Sequence, residues 1–409
     1  MLVNIKNKNN IFTIFWFLLP AIAGFLKWQR NSINNYYIYK GVFFHTINKT
    51  NLYELYPSEY FDCNHYGVVF SVIIAPFTFL PDYIAVPLWV VFQAFVLYKA
   101  LMVLPVKIEF KWILLAISIV DLMTSSHSVQ INPAVVGMII LSWYYVKKDQ
   151  VIWATFFVML GTFIKLYGIV GLAFWVFSNQ KIKYIGYLIL WSAVFFVLPM
   201  AISSPGFVVQ SYLDWLQSLT EKNLENETII NGIASRQDIS IMGMFRRIFR
   251  WKDFSNLLFI IPGFLLQVAP LIQFKKYKFQ IFQMRYLASL LIFVVIFSTS
   301  SESPTYVIAT TGVAIWFITQ ENPIKKWVWV LLIFTIIVTS LSATDIFPRH
   351  IREFFIFYSV KALPCILVWF VGIYQLFFGV KTDTNSKWIK TIYHRKYNPQ
   401  QFYLLSDYK

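Results

Sequence analysis

Four side chains able to take or give a proton, Glu54, Glu59, Asp62 and His65, fall within twelve residues in the segment NLYELYPSEYFDCNHYGVVF. The chain is otherwise short of acids, with 19 Asp and Glu against 35 Lys and Arg, so this concentration sets the segment apart. A carboxylate held at a bilayer surface among aromatic rings can act as a general base toward a hydroxyl group. Tyr53, Tyr56, Tyr60, Phe61 and Tyr66 would supply the flat apolar faces. A plainer reading stands beside this one. Tyr is common at membrane interfaces, and Glu54, Glu59 and Asp62 would then be solvated surface groups. Asp62 is the favoured acid and Glu59 the second, because Asp62 lies just before an apolar segment that would hold it near the membrane plane. His65, three residues on, would share its proton if the turn is helical.

Four further sites carry polar chemistry. Gln130 and Asn132, in SSHSVQINPAVVGMII, open an apolar helix whose start suits Pro133. They fit either hydroxyl recognition or a polar helix cap. Lys165, in MLGTFIKLYGIVGLAFW, is a cation between two apolar runs. Such a group is a candidate phosphate ligand or a snorkelling side chain. Arg236, Gln237, Asp238, Arg246 and Arg247 form a basic cluster suited to phosphate, or to an anionic lipid surface. Glu302, in STSSESPTYVIA, is a lone acid among hydroxyls, able to bind a ligand or to complement a helix dipole.

The elements that must position these residues are apolar helices. Of the 409 residues, 58% are hydrophobic and only 13% charged, which excludes an ordinary soluble domain. The net charge of +16 is read as membrane topology, since no interleaved basic–aromatic motif for nucleic acid is present. Apolar runs are expected to span over 11–26, 67–81, 83–105, 112–127 and 132–146. Further runs cover 183–202, 255–273, 284–299, 304–320, 325–342 and 356–379. The run 151–178 is too long for one span and breaks around Lys165 into two short helices. The expectation is an all-α, polytopic transmembrane bundle of about 10–12 segments in one domain, residues 1–380. Residues 27–66 are expected to form a large first external loop. Residues 203–254 form an interfacial loop that begins with an amphipathic stretch, and residues 381–409 a basic cytoplasmic tail. Cys63 and Cys365 are too far apart in the chain to suggest a disulfide framework or a metal site.

The order of motifs NNYYIYKG, NLYELYP, HYGVVFSVIIAPFTFLP, SVQINPAVVG, GTFIKLYG and SSESPTYVI resembles glycosyltransferase family 87, a branch of the GT-C superfamily. The resemblance runs over roughly residues 10–320. It implies a polytopic membrane enzyme that transfers a hexose, often mannose, from a polyprenyl-phosphate sugar to a glycan or lipid acceptor on the extracytoplasmic side. It implies no cofactor, no metal and no nucleotide-binding domain, with membrane lipids as the remaining partners and the bacterial inner membrane as the location. In this reading Asp62 or Glu59 is the base, and Lys165 with one of Arg236 or Arg246 holds the donor phosphate. Gln130, Asn132, His65 and Glu302 bind sugar. The chain departs from the family pattern at three places. The first-loop acid falls near Asn35, an amide that cannot act as a base. The glycine before Gln130 is Val129, and Ser303-Pro304 is followed by Thr305. A transporter or flippase of lipid-linked sugars, or a polysaccharide polymerase, is the alternative. Convergence of Asp62, Gln130 and Lys165 on one external cavity would favour transfer, whereas polar residues lining both leaflets would favour transport.

Overall fold

The computed structural model describes residues 2–379 apart from 228, 231–232, 235–236, 252–253 and 322. The basic segment 381–409 and Arg236 lie outside the described residues. The architecture is a bundle of helices. Among the described residues the α-helices are α1 (Leu2–Gln29), α2 (Asn34–Asn48), α3 (Phe70–Thr78), α4 (Asp82–Met102), α5 (Ile108–His127), α6 (Asn132–Lys147), α7 (Val151–Ile164), α8 (Lys181–Val197), α9 (Pro205–Glu227), α10 (Ile241–Phe249), α11 (Leu257–Val268), α12 (Gln280–Ile296), α13 (Tyr306–Ile318), α14 (Lys326–Phe334), α15 (Arg349–Phe357) and α16 (Leu363–Phe378). A 3₁₀ run, Leu166–Phe177, follows α7, and a π turn, Thr335–Ser340, extends α14. The only sheet among the described residues is a two-residue antiparallel pair, β1 (Ile229–Ile230) with β2 (Ile233–Ala234).

Polarity is arranged as in a membrane protein. The rim helices α1, α8 and α11 turn large apolar side chains outward, among them Ile14, Leu18, Ile189, Val197, Ile261 and Phe264. The centre is built by α5, α6, α12 and α13. Nearly every residue of α12 and α13 is buried, and α13 packs between α12 and α5. Polar side chains face inward and pair there. Trp369 Nε1 donates to Gln267 Oε1 at 2.9 Å, and Gln267 Nε2 donates to Ser289 Oγ at 3.0 Å. A polar group facing lipid has no water to bond, so interior pairing is the low-energy solution. Four helical stretches, Ile11–Gln29, Asp82–Met102, Lys181–Ala201 and Val360–Phe378, are long and apolar enough to cross a membrane.

Two expected loops are more ordered than their composition suggests. Residues 27–66 contain α2, whose Tyr36, Tyr39, Val42, Phe43 and Thr46 recur at helical spacing and are buried. Residues 203–254 contain α9, which buries Val208, Ser211, Trp215, Ser218 and Lys222 along one stripe. Helix α2 is tied through Asn35 to the turn before α6, and α9 through Asn223 to the segment after α12.

Of the two enclosed ion pairs among the described residues, one joins α5 to the turn before α16. Asp121 on α5 faces Lys361, in the turn before α16, at 3.9 Å, with the two side chains 0% and 1% exposed. Ser340 Oγ donates to Asp121 Oδ2 at 2.5 Å, and the Lys361 ammonium lies 5.3 Å from the centre of the Tyr306 ring. Removing one partner strands the other charge in an apolar interior, whereas removing both does not. Lys361→Met is expected to cost about 3–5 kcal/mol of stability. The double variant Asp121→Leu/Lys361→Met should recover most of it. Thermal unfolding in detergent checks this, and single and double variants with the same midpoint would refute the pairing.

Candidate functional site

The site is assembled at the junction of three chain segments. The first is the strap 49–69 between α2 and α3. Asn34 grips it, accepting from the Phe61 amide and donating to the Phe61 carbonyl, both at 2.7 Å. The second is the elbow at Lys165, where α7 ends and the 3₁₀ run begins. The third is the segment 297–305, which joins α12 to α13.

Glycine makes the elbow and seats the strap on it. A Cβ on Gly168 would fall 2.3 Å from the carbonyl carbon of Gly161, so the two runs meet backbone to backbone. A Cβ on Gly67 would fall 2.2 Å from the Phe163 carbonyl oxygen. The bare Gly67 amide instead donates to the Ile164 carbonyl at 3.2 Å. Helix α9 closes the strap from the other side. Trp215 Nε1 donates to the His65 carbonyl at 2.9 Å, and Ser218 Oγ lies 3.0 Å from His65 Nδ1.

The result is a cavity of about 440 Å³ whose lining includes Asp62, His65, Gln130, Lys165, Lys222 and Glu302. A line of hydrogen bonds crosses its inner wall. Lys165 Nζ donates to Asn132 Oδ1 at 2.9 Å, Asn132 Nδ2 donates to Gln130 Oε1 at 2.7 Å, and Gln130 Nε2 donates to Glu302 Oε1 at 2.5 Å. Every amide in that line spends both ends. Asn132 is fully buried and serves as the connector, not as part of the lining. Rings cover the cation: Lys165 Nζ is 4.8 Å from the centre of Tyr167 and 5.9 Å from that of Tyr66. At the mouth, Asp62 stands in the left-handed region at φ 69°, a conformation Asp tolerates, and accepts from the Cys63 amide at 2.9 Å. Its carboxylate lies 3.6 Å from the Lys222 ammonium and is half exposed. His65 is held neutral at physiological pH: burial, and then the Lys222 charge, depress its pKa to about 4.

Asp62, His65, Gln130, Lys165 and Glu302 therefore meet. Glu59 does not line the cavity; its carboxylate is 3.1 Å from His45 Nε2. Arg246 is also elsewhere. It is buried, donating to Asp238 Oδ2 at 2.5 Å and to Asn256 Oδ1 at 2.7 Å. Both of its terminal nitrogens are committed to these partners and it lies off the cavity, so the expectation that it holds a donor phosphate is set aside. Asn35 lines the cavity and donates to the Ser128 carbonyl at 2.7 Å, which ties α2 to the turn before α6. Val129 in that turn has φ 56°, a left-handed conformation that a glycine would adopt without strain. Sequence reading missed Lys222. The available signal was a lysine on the otherwise apolar and small-residue stripe of α9. It also passed over Asp62, Cys63 and His65 as a donor set for a divalent ion. One oxygen, one sulfur and one nitrogen lie within 4.8 Å of one another there, with Lys222 competing for the carboxylate.

A family model of glycosyltransferase family 87 matches residues 64–299, more than half of the chain. The chain belongs to glycosyltransferase family 87. The matched region begins within the strap and takes in Gln130, Asn132, Lys165 and Lys222, ending just before Glu302. Comparison with individually curated proteins gives no match.

The strap's seat on the elbow is testable without substrate. Gly67→Ala is expected to cost about 1–3 kcal/mol locally through overpacking, opening the strap roughly 5- to 150-fold more often. Limited proteolysis within residues 49–69 should accelerate by that order while the thermal midpoint of the bundle moves little. An unchanged cleavage rate would show that the strap is not held at Gly67.

Proposed function

We propose that this glycosyltransferase moves a hexose from a polyprenyl-phosphate sugar to a hydroxyl of a glycan or lipid acceptor. The reaction takes place at the extracytoplasmic end of a GT-C-like membrane domain. The observation that carries the reading is the meeting of one half-exposed carboxylate, Asp62, with two ammonium groups, Lys165 and Lys222, in one cavity. Acceptor chemistry needs the carboxylate and a phosphate leaving group needs the cations.

In this scheme Asp62 takes the proton of the acceptor hydroxyl as its oxygen bonds to the anomeric carbon. The bond from that carbon to the phosphate oxygen breaks, and the electron pair leaves with the polyprenyl phosphate. The configuration at the anomeric carbon inverts. Lys165 and Lys222 stabilise the charge that grows on the phosphate, and they do so in a walled cavity where water competes less. Glu302 accepts from a sugar hydroxyl with the oxygen that Gln130 leaves free, the second amide hydrogen of Gln130 donates to another, and Tyr66 and Tyr167 offer flat faces to the ring or the prenyl chain. Neutral His65 is a hydrogen-bonding neighbour and not a phosphate counter-ion. The location would be a bacterial plasma membrane, and mannose is the first sugar to try.

The convergence of Asp62, Gln130 and Lys165 on one cavity favours transfer over carriage of a lipid-linked sugar across the membrane. A carrier would need a polar path through the buried aliphatic and aromatic layer of α6, α12 and α13.

The test supplies purified protein with a labelled polyprenyl-phosphate hexose and membrane lipid extract. Asp62→Asn should lower turnover about 10²- to 10⁴-fold, the usual worth of a general base. Glu59→Gln, whose carboxylate lies off the cavity, should stay within a factor of about three of wild type. Equal turnover of Asp62→Asn and wild type would remove Asp62 from the mechanism.

A further inference from the structure

A second cavity, of about 240 Å³, lies between the ends of α12, α13, α14 and α16. Its lining includes Arg285, Lys325, Glu321, Trp327 and Tyr374. Arg285 sits near the start of α12, and the Ser298–Glu302 segment follows that helix's other end. The first cavity is lined on α12 from Phe293 onward, so at 1.5 Å per residue the two linings lie about 12 Å apart along that helix.

The chemistry here is cationic and unspent. Arg285 is 3% exposed, and its Nη2 donates to the Thr319 carbonyl at 2.8 Å, but its Nε has no hydrogen-bond partner. A buried guanidinium with an idle donor is costly unless something completes it. Lys325, exposed at the rim, makes no ion pair among the described residues. The two amides in the lining satisfy each other and a ring: Gln375 Nε2 donates to Gln320 Oε1, and Trp316 Nε1 donates to Gln375 Oε1, both at 2.9 Å. Glu321 is a single opposing charge, and it is exposed. Trp327 and Tyr374 flank the opening with 40% and 64% of their surface exposed, as aromatic side chains do at the edge of a hydrocarbon layer.

We infer that this cavity binds a phosphate group, with Arg285 at its floor and Lys325 at its rim. A guanidinium and an ammonium lining one cavity suit a phosphate group better than a single-point acceptor. The flanking rings make an anionic phospholipid headgroup the first source, and free phosphate is the second. The site is separate from the sugar-transfer cavity and does not depend on its assignment.

Native mass spectrometry of the full chain in neutral detergent tests the inference in three arms: phosphatidylglycerol, phosphatidylcholine and inorganic phosphate. Phosphatidylglycerol should be retained at about tenfold lower concentration than phosphatidylcholine, and both Arg285→Gln and Lys325→Gln should weaken it about tenfold. Arg285 also caps the Thr319 carbonyl, so Lys325→Gln, on an exposed residue, carries the test if the first variant does not fold. Retention of inorganic phosphate that is lost in Lys325→Gln would support the site and make its source soluble. Equal retention of both lipids, no retention of phosphate, and no response to Lys325→Gln would overturn it.

Discussion

A cation enclosed among apolar helices must find partners, and this requirement organises the site. Lys165 cannot stay charged among apolar helices without acceptors and ring faces. Asn132 supplies the acceptor, and Asn132 must in turn be satisfied, which requires Gln130, which requires Glu302. The four residues come from the end of α7, the start of α6, the turn before it and the segment before α13. The line of hydrogen bonds therefore fixes where four bundle helices end relative to one another. Membership of glycosyltransferase family 87 gives that constraint its setting, because such an enzyme must hold a sugar donor against fixed polar groups.

The remaining contacts hold the mouth of the cavity to this inner wall. Gly67 hooks the strap to the backbone of α7, and α9 lies over it through Trp215 and Ser218. Farther along α9, Asn223 accepts from Thr299 at 2.5 Å, so the same helix also fastens the 297–305 segment. Behind that segment the Asp121–Lys361 pair closes the bundle. Lys361 also reaches the Ser303 carbonyl, at 3.5 Å, so this enclosed pair bears on the position of Glu302.

The fold was legible in the sequence because spans are written as long apolar runs, and the expected breaks near Lys165 and Pro133 coincide with observed helix ends. Helix α2 was less legible. Its Asn, Tyr and Lys composition reads as a wet loop, although Tyr36, Tyr39, Phe43 and Thr46 keep helical spacing. The inner wall was readable one residue at a time, since an amide or a charge among apolar neighbours stands out. Its pairings were not readable, because Gln130 and Glu302 lie 172 positions apart. Glu59 and Arg246 misled for a related reason. His45 and Asp238 already occupy them, and local composition does not reveal which partner a charge has chosen.

The direction of the inner line has a consequence for what the cavity can welcome. Each link has one sense only, from ammonium to amide oxygen, amide nitrogen to amide oxygen, and amide nitrogen to carboxylate. A bare anion that drew Lys165 toward itself would leave Asn132 Oδ1 facing a void with nothing to accept. Asn132 is sealed behind the lining, so a guest in the cavity cannot repair that loss, and Lys165 must keep its amide partner while it meets a ligand. The wall thus keeps the ammonium at one fixed place, and an anion that enters must come to it.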